Sequence, residues 1–507
     1  MEDAVEMAQR VLDPSMQAEF DRRVEEQAEL LIEELRRGAL DSREFATGLE
    51  VELYAVDEDG RLARVPHEVF EEADCSREFG RHNVELNTPP STFDADGIGT
   101  QAATVRRKLE GAAAVMDRHG LRLVLDGMWT IPPAEGSLAY LSAVSEVDGI
   151  TIAENMSSNP RYYAIDNHVL ERGGGDVSIE VPGAHHAFPS ILAESLTSSI
   201  QPHLQVPSTG EFPTYYNVAL RTLGPVLALA TNSPFLPSDA YDAVDDERQL
   251  VEETFHELRI PVFERTVNAG PWEKACVPRD LETAEDVVDR LVDDSTCAPF
   301  LLEWEREGDD DLENESCWEL IHKYGTYWRW VRSVIGGEAG GDGEGRSLRI
   351  EYRPLPTQPS VEDVISLHCL TIGLIRGLVA AEHPIVELSW ADARAGFYGA
   401  VHDGLEAELH WITADGEPTT DPERIYPEVF SFARRGLRTQ GMSDAKAAAR
   451  LEPLAARWER RTTPSRWKKR RVAARIDAGE SLADAIEAMQ REYLRRSQAG
   501  EPFVEWE

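Results

Sequence analysis

The sequence predicts an α+β protein built on an antiparallel sheet with one apolar and one polar face, curved around a site and joined to helical segments at both ends. Three observations carry this. At least four segments alternate polar and apolar residues with period two. Apolar residues recur at helical spacing before and after those segments. And 42% of the 507 residues are apolar, enough to bury a large core.

Asp13-Pro14 opens an amphipathic helix, a capping carboxylate followed by a proline at the first helical position, and apolar spacing continues through Leu30, Leu31 and Leu35 to Gly38. Residues 1–45 are expected to form this N-terminal helical segment. Thr47 to Val56 (TGLEVELYAV) then reads as a strand with Glu50 and Glu52 on one face and Val51 and Leu53 on the other. His82 to Asn87 repeats the pattern with Glu85 and Asn87, and Leu121 to Trp129 is a further strand. Ser199 to Val206 places Gln201, His203 and Gln205 together. Tyr216 to Thr231 reads as a helix that Pro225 kinks or ends. Gly336 to Gly345 (GGEAGGDGEG) is a flexible acidic loop.

Ser347 to Arg353 aligns Arg349, Glu351 and Arg353 against Ile350 and Tyr352. Ser360-Val361-Glu362-Asp363 caps a helix in which His368 is a core histidine. Leu405 to Ile412 is a last strand. From about Pro427 the character changes: Arg457 to Arg475 is strongly basic and Ser481 to Arg495 has a helical pattern. A main domain over 46–425 and a C-terminal helical appendage over 426–507 are the expected units.

The charge narrows the partners. With 93 acidic against 51 basic side chains the formal charge is -42, so nucleic acid and anionic membrane surfaces would be repelled. The basic run is therefore expected to dock on the protein's own acidic surface. Only six of the basic residues are Lys, and the acids are spread along the whole chain. Such a surface suits a salt-filled cytoplasm, because at about 1 M salt the Debye length is roughly 3 Å and carboxylate repulsion is screened. Cys75, Cys276, Cys297, Cys317 and Cys369 never form a C-x-x-C pair, so neither a disulfide framework nor a zinc cluster is indicated. Met1 to Arg10 is acidic rather than leader-like, and no apolar run of about 18 residues occurs, which points to the cytoplasm.

The polar strand faces admit two readings. An antiparallel sheet commonly turns one face to water. A merely solvated face would favour Thr, Lys and Ser, whereas these faces combine carboxylates, imidazole, amides and guanidinium. That mixture suits divalent cations beside an anionic substrate: hard Mg²⁺ or Mn²⁺ takes oxygen ligands with an occasional His, and Arg grips phosphate or carboxylate bidentately. No Walker loop, no G-x-G-x-x-G after a strand and no G-x-S-x-G elbow is present. Gly173-Gly174-Gly175 reads as a turn, and the adjacent His185 and His186 point opposite ways on any strand. The aromatic stretch Tyr324 to Trp330 could stack a base or simply pack.

Six segments occur in a telling order: Gly48-Leu49-Glu50-Val51-Glu52; Glu85-Leu86-Asn87; QPHLQ around His203; Ala228 to Phe235 (ALATNSPF); Tyr327 to Arg332 (YWRWVR); and Arg349 to Arg353 with Thr357-Gln358-Pro359. Together, over roughly residues 46 to 410, they resemble the glutamate-cysteine ligase family, in the branch of the bacterial carboxylate-amine ligases and plant-type enzymes. The resemblance implies a glutamine-synthetase-like fold, a curved antiparallel sheet forming a funnel flanked by helices. It also implies ATP-dependent joining of an amino acid's side-chain carboxylate to an amine. It makes Glu50, Glu52, Glu85, His203 and Glu351 similar to the ligands of the metal ions that bridge the ATP phosphates. Arg353 resembles the phosphate-contacting arginine, Arg332 a second catalytic arginine, and Gln201, Asn87 and Arg349 substrate-binding groups. Gly127-Met128-Trp129-Thr130 departs from the family's usual turn, and the C-terminal appendage extends beyond the resemblance.

The chemistry agrees. A carboxylate is a poor acyl donor, so ATP first converts it to an acyl phosphate that the amine then displaces. Phosphoryl transfer asks the protein for positioning and charge neutralisation, with no Ser, Cys or Lys nucleophile. The expected function is an ATP- and Mg²⁺-dependent (or Mn²⁺-dependent) ligase of glutamate and cysteine, acting alone or as a homo-oligomer on small molecules. Two alternatives stand beside it: a ligase using another acid or amine, and a catalytically lapsed metal- or nucleotide-binding regulator.

Overall fold

Period-two alternation in the chain becomes a nine-stranded antiparallel sheet that curls into a half-barrel. The computed structural model describes residues 2–242, 244–305, 315–336 and 346–506. The sheet strands are β1 (Ala46–Val56), β2 (Ser76–Arg77), β3 (Asn83–Asn87), β4 (Ser91–Thr92), β5 (Arg122–Val124), β6 (Ser199–Gln205), β7 (Val331–Gly336), β8 (Ser347–Tyr352) and β9 (Leu355–Pro356). The main order is β7-β8-β6-β1-β3-β2, with β4 and β5 pairing β1 and β9 pairing β6. In β1 burial alternates as the sequence predicts: Leu49, Val51 and Leu53 are buried while Glu50 and Glu52 remain partly accessible.

The apolar face packs, with Leu86, Ile200, Leu204 and Ile350, against the helices Ala95–Arg118, Phe212–Ala230 and Val361–Ala380 in one continuous core. Burial of this face, at about 25 cal/mol per Å² of apolar area removed from water, holds the sheet against these helices. The opposite face, carrying the carboxylates and guanidiniums, is thereby left to line a hollow. Val361–Ala380 is long and apolar enough to cross a membrane, but most of it is buried inside the protein. Its close crossing with Pro422–Thr439 requires glycine, since a Cβ on Gly377 would lie 1.8 Å from the Phe432 carbonyl oxygen.

The helix Pro14–Arg36 begins as predicted, with the Asp13 carboxylate accepting from Ser15 N–H. His368 is buried in its helix, 3.0 Å from the Thr47 hydroxyl, and burial lowers its pKa to about 3. Three local expectations differ. Of Leu121 to Trp129 only Arg122–Val124 is strand, because the chain turns away from β1 at Asp126-Gly127. Of Leu405 to Ile412 only Trp411–Ile412 is strand, paired with Pro418–Thr419 in a separate ribbon, and Gly404–Glu406 is a 3₁₀ turn. The helix Phe212–Ala230 runs through Pro225 instead of ending there, held between the apolar face of the sheet and neighbouring helices. Of the predicted acidic loop, residues 337–345 lie outside the described residues.

The basic run belongs to the end of the helix Asp444–Glu459 and to Pro464–Asp477, followed by Leu482–Gln498. Some of its arginines meet surface acids, Arg466 with Glu406 and Arg471 with Glu492. Two of its cations go further than surface docking. Arg457 and Lys468 are fully buried and meet interior carboxylates, Asp363 at 2.8 Å and Asp126 at 2.6 Å. Lys468 also donates to the Asn232 carbonyl, whose own amide donates to the Thr357 carbonyl and the Tyr493 hydroxyl. Gln490 donates to the second Asp126 oxygen at 2.7 Å. Every member of this buried network is thus supplied by a different part of the chain, which satisfies charges that would otherwise be costly to enclose.

Candidate active site

Strand register brings the sequence-predicted residues together. Glu52 lies opposite Glu85 and Glu50 opposite Asn87 across β1 and β3. On the other side Glu50 faces Gln201 and Gly48 faces His203 across β1 and β6. His203 then faces Glu351, and Glu351 faces Arg332, on β8 and β7. Side chains directly opposite on one face of an antiparallel pair are neighbours, so these eight polar residues form one band across five strands. Arg353 joins just past β8, its amide donating to the Trp330 carbonyl.

The band lines two adjoining cavities. Glu50 and Glu85 border both. The larger, about 1130 Å³, takes in Asn87, His203, Gln205 and Arg349. The smaller, about 250 Å³, takes in Glu52, Gln201, Arg332 and Arg353. Glu351 borders neither; it is buried beneath the two arginines.

Electrostatics divides the carboxylates into two kinds. Glu52, Glu78 and Glu85 each turn an oxygen inward so that the three lie within 4.8 Å of one another. Burial first, and then mutual repulsion, pushes Glu85 well above the usual carboxylate range and Glu78 up to about 8. Glu52 is raised as well, chiefly by burial, although Ser199 N–H donates to it at 2.6 Å and the Gln201 amide at 2.9 Å. Glu194, on the 3₁₀ turn Ile191–Leu196, borders the same cavity and is pushed up to about 8, by burial and then by Glu52. Glu351 goes the other way: burial opposes its charge, but the Arg332 and Arg353 guanidiniums overcome that and hold it below the usual range. Arg332 Nε donates to Glu351 Oε1 at 2.9 Å, and Arg353 donates to the same oxygen and to the Gln201 carbonyl oxygen.

The sequence profile of glutamate-cysteine ligase family 2 (GCS2) matches residues 46–499. The chain belongs to that family. The match continues past residue 410, where the sequence resemblance ends, and runs through the C-terminal helices. A Rhodococcus jostii (strain RHA1) protein provisionally named glutamate-cysteine ligase 2-1 is 25% identical over 238 residues, 45% of this chain. That match spans 49% of the relative's own length. Among solved structures, the glutamate-cysteine ligase of Francisella tularensis in complex with AMP is 12% identical, with 90% of each chain covered and a TM-score of 0.48. The bifunctional glutathione synthetase of Pasteurella multocida is 14% identical over 93% of this chain and 55% of that one, with a TM-score of 0.49.

For a GCS2 member the donor chemistry can be tested directly. A trio of half-buried carboxylates, in which Glu78 and Glu85 are pushed up further by their acidic neighbours, is costly unless protons or cations intervene, and oxygen donors in that number suit Mg²⁺ or Mn²⁺. The carboxylates therefore fit a divalent ion. His203 fits less simply. Arg349 Nε donates to its Nδ1 at 3.0 Å, so the neutral ring carries its proton on Nε2, 3.3 Å from a Glu50 oxygen. Nε2 makes no hydrogen bond there, leaving a buried atom aimed at the band.

Sequence periodicity missed Glu78 and Glu194. Glu78 follows the two-residue strand β2, whose Ser76 pairs Glu85, too short a stretch for alternation to register. Glu194 sits on a 3₁₀ turn held by Asp166, which accepts from the Ser190 hydroxyl and from Ile191 N–H. Nothing in local sequence marks it. In the aromatic stretch, Tyr324, Tyr327 and Trp330 are buried packing residues, and only Trp328 borders the smaller cavity.

Proposed function

We propose that the protein is an ATP-dependent carboxylate-amine ligase that joins the γ-carboxylate of glutamate to the amine of cysteine through γ-glutamyl phosphate. The single observation that carries this is the cross-strand band in which clustered carboxylates meet two arginines clamped on Glu351. Membership of GCS2 supports the same reading.

Glu50, Glu52, Glu85 and Glu78 would hold divalent ions on one side, with His203 and the free oxygen of Glu351 on the other. Such ions, when bound, supply neutralisation of phosphate charge. Glu351 fixes one edge of each guanidinium, the Tyr324 carbonyl also accepts from Arg332 Nη1 at 2.9 Å and Gln201 from Arg353 Nη1, which leaves Nη2 of each arginine for phosphoryl oxygens in transfer. Gln201 couples the two halves, accepting from Arg353 while donating to Glu52. Asn87, donating to Glu85 at 2.7 Å, and Arg349 stand at the mouth of the larger cavity as substrate-binding groups.

The test is to incubate the purified protein in KCl with Mg-ATP, glutamate and a panel of amines, following ADP and product mass. Cysteine-stimulated ADP release with a γ-glutamyl product is the expected result. Stimulation by a different amine would reassign the acceptor, and nucleotide binding without turnover with any amine would make the protein a regulator.

A further inference from the structure

Away from the concave face, a further cavity of about 670 Å³ is walled by Arg279, Arg290, Arg329 and Arg394 around Trp390. Its basic lining stands out in a chain of charge -42. Arg279 lies with its guanidinium carbon 3.5 Å from the centre of the Trp390 ring, and Arg394 approaches the same ring at 5.8 Å and that of Tyr398 at 4.7 Å. Neither arginine pairs with a carboxylate among the described residues. The platform beneath them is fixed, because Trp390 Nε1 donates to the Pro278 carbonyl at 2.6 Å. Arg290 spends its donors on the Arg279 and Asp280 carbonyls, which pins the loop carrying Arg279.

Carboxylates are present, but they are used or peripheral. Asp294 is buried and held by Lys274 and by Arg329 at 2.9 Å, while Glu273 and Asp293 are exposed. Stacking on an aromatic ring orients a guanidinium while leaving its in-plane donors open, and such donors match phosphate and carboxylate oxygens in pairs. A hollow of this size is ample for a small molecule.

We propose that this cavity is a binding site for a small, multiply charged oxyanion, held through Arg279 and Arg394 and separate from the ligase site. Phosphate-bearing and carboxylate-bearing anions share the required chemistry, and pyrophosphate and citrate serve as probes of the two. Binding would be measured by calorimetry on the full-length Arg353→Ala protein, in which anion binding on the concave face is weakened, and the Arg279 and Arg394 variants assign what remains. The proposal expects saturable binding of at least one probe, weakened at least tenfold by adding Arg279→Ala and Arg394→Ala. The charge-conserving pair Arg279→Lys and Arg394→Lys should weaken it to a smaller extent, with an unchanged circular dichroism spectrum. Tighter pyrophosphate would assign the phosphate class and tighter citrate the carboxylate class. Absence of binding by Arg353→Ala, or binding that the alanine or lysine pairs leave unchanged, would overturn the site.

Discussion

Arg349 Nε donates to His203 Nδ1 at 3.0 Å, which leaves the imidazole proton on Nε2, the atom nearest Glu50. A ring in that tautomer offers no lone pair to a cation on the Glu50 side. Ligation at Nε2 moves the proton to Nδ1, where it would meet the Arg349 N–H, so the arginine must swing away. Arg349→Met is therefore expected to bind Mn²⁺ as tightly as the parent or several-fold more so, measured by electron paramagnetic resonance titration. A large loss of affinity would show that Arg349 supports the ion instead of competing with it.

Glu52→Gln, Glu78→Gln and His203→Ala should each lower turnover by orders of magnitude while circular dichroism and melting remain near those of the parent. Glu52 and Glu78 share one oxygen cluster, so the double variant should cost little more than either alone. Near-normal activity in any of the single variants would displace the metals from this band.

The raised carboxyl groups give stability a pH dependence. Glu78 and Glu194 bind protons in the folded state up to about pH 8 and, when unfolded, only to about pH 4.3. The folded state thus holds more protons between those values, and its stability falls as pH rises through that window. In EDTA the melting temperature should drop between about pH 5 and 8. Mg²⁺ should raise it, and more at the upper end, where ion and proton no longer compete. An equal Mg²⁺ effect at both ends would count against a cation among these groups.

Lys468→Met strands the Asp126 carboxylate in the interior and should cost about 3–5 kcal/mol in denaturant unfolding. Combining it with Asp126→Asn removes both charges and should recover much of that loss. If the double variant is as unstable as the single one, packing around the methylene chain outweighs the charge pair.

Melting should rise with KCl between about 0.1 and 1 M, as the Debye length shrinks from about 10 to about 3 Å and repulsion among 93 acidic side chains is screened. A protein most stable in dilute buffer would remove the reading of a salt-adapted surface.

The polar band was legible in the sequence because a strand face is written every second residue: Glu50 with Glu52, Gln201 with His203, Arg349 with Glu351. Their convergence was not written there, since register between strands separated by well over a hundred residues depends on the whole core. Glu78 and Glu194 escaped for a local reason, lying on a two-residue strand's margin and on a 3₁₀ turn where no period exists. The overlong strand expected at Leu121 to Trp129 failed where Gly127 passes close to Pro356, a Cβ there falling 2.8 Å from the proline's. The fate of the basic run was half visible: charge excess predicted internal partners, but not that Arg457 and Lys468 would be swallowed whole.

Asp126 must wait for a counter-ion encoded 342 residues later. During synthesis the nascent chain exposes the whole sheet-forming region before Lys468 leaves the ribosome, and the helix bearing Gln490 and Tyr493 comes later still. The sheet floor therefore cannot close around Asp126 until the chain has been made through Tyr493. The helices Pro464–Asp477 and Leu482–Gln498 act as a keystone, so that a translation product ending before them would be left unfinished at its centre and ready for proteolysis.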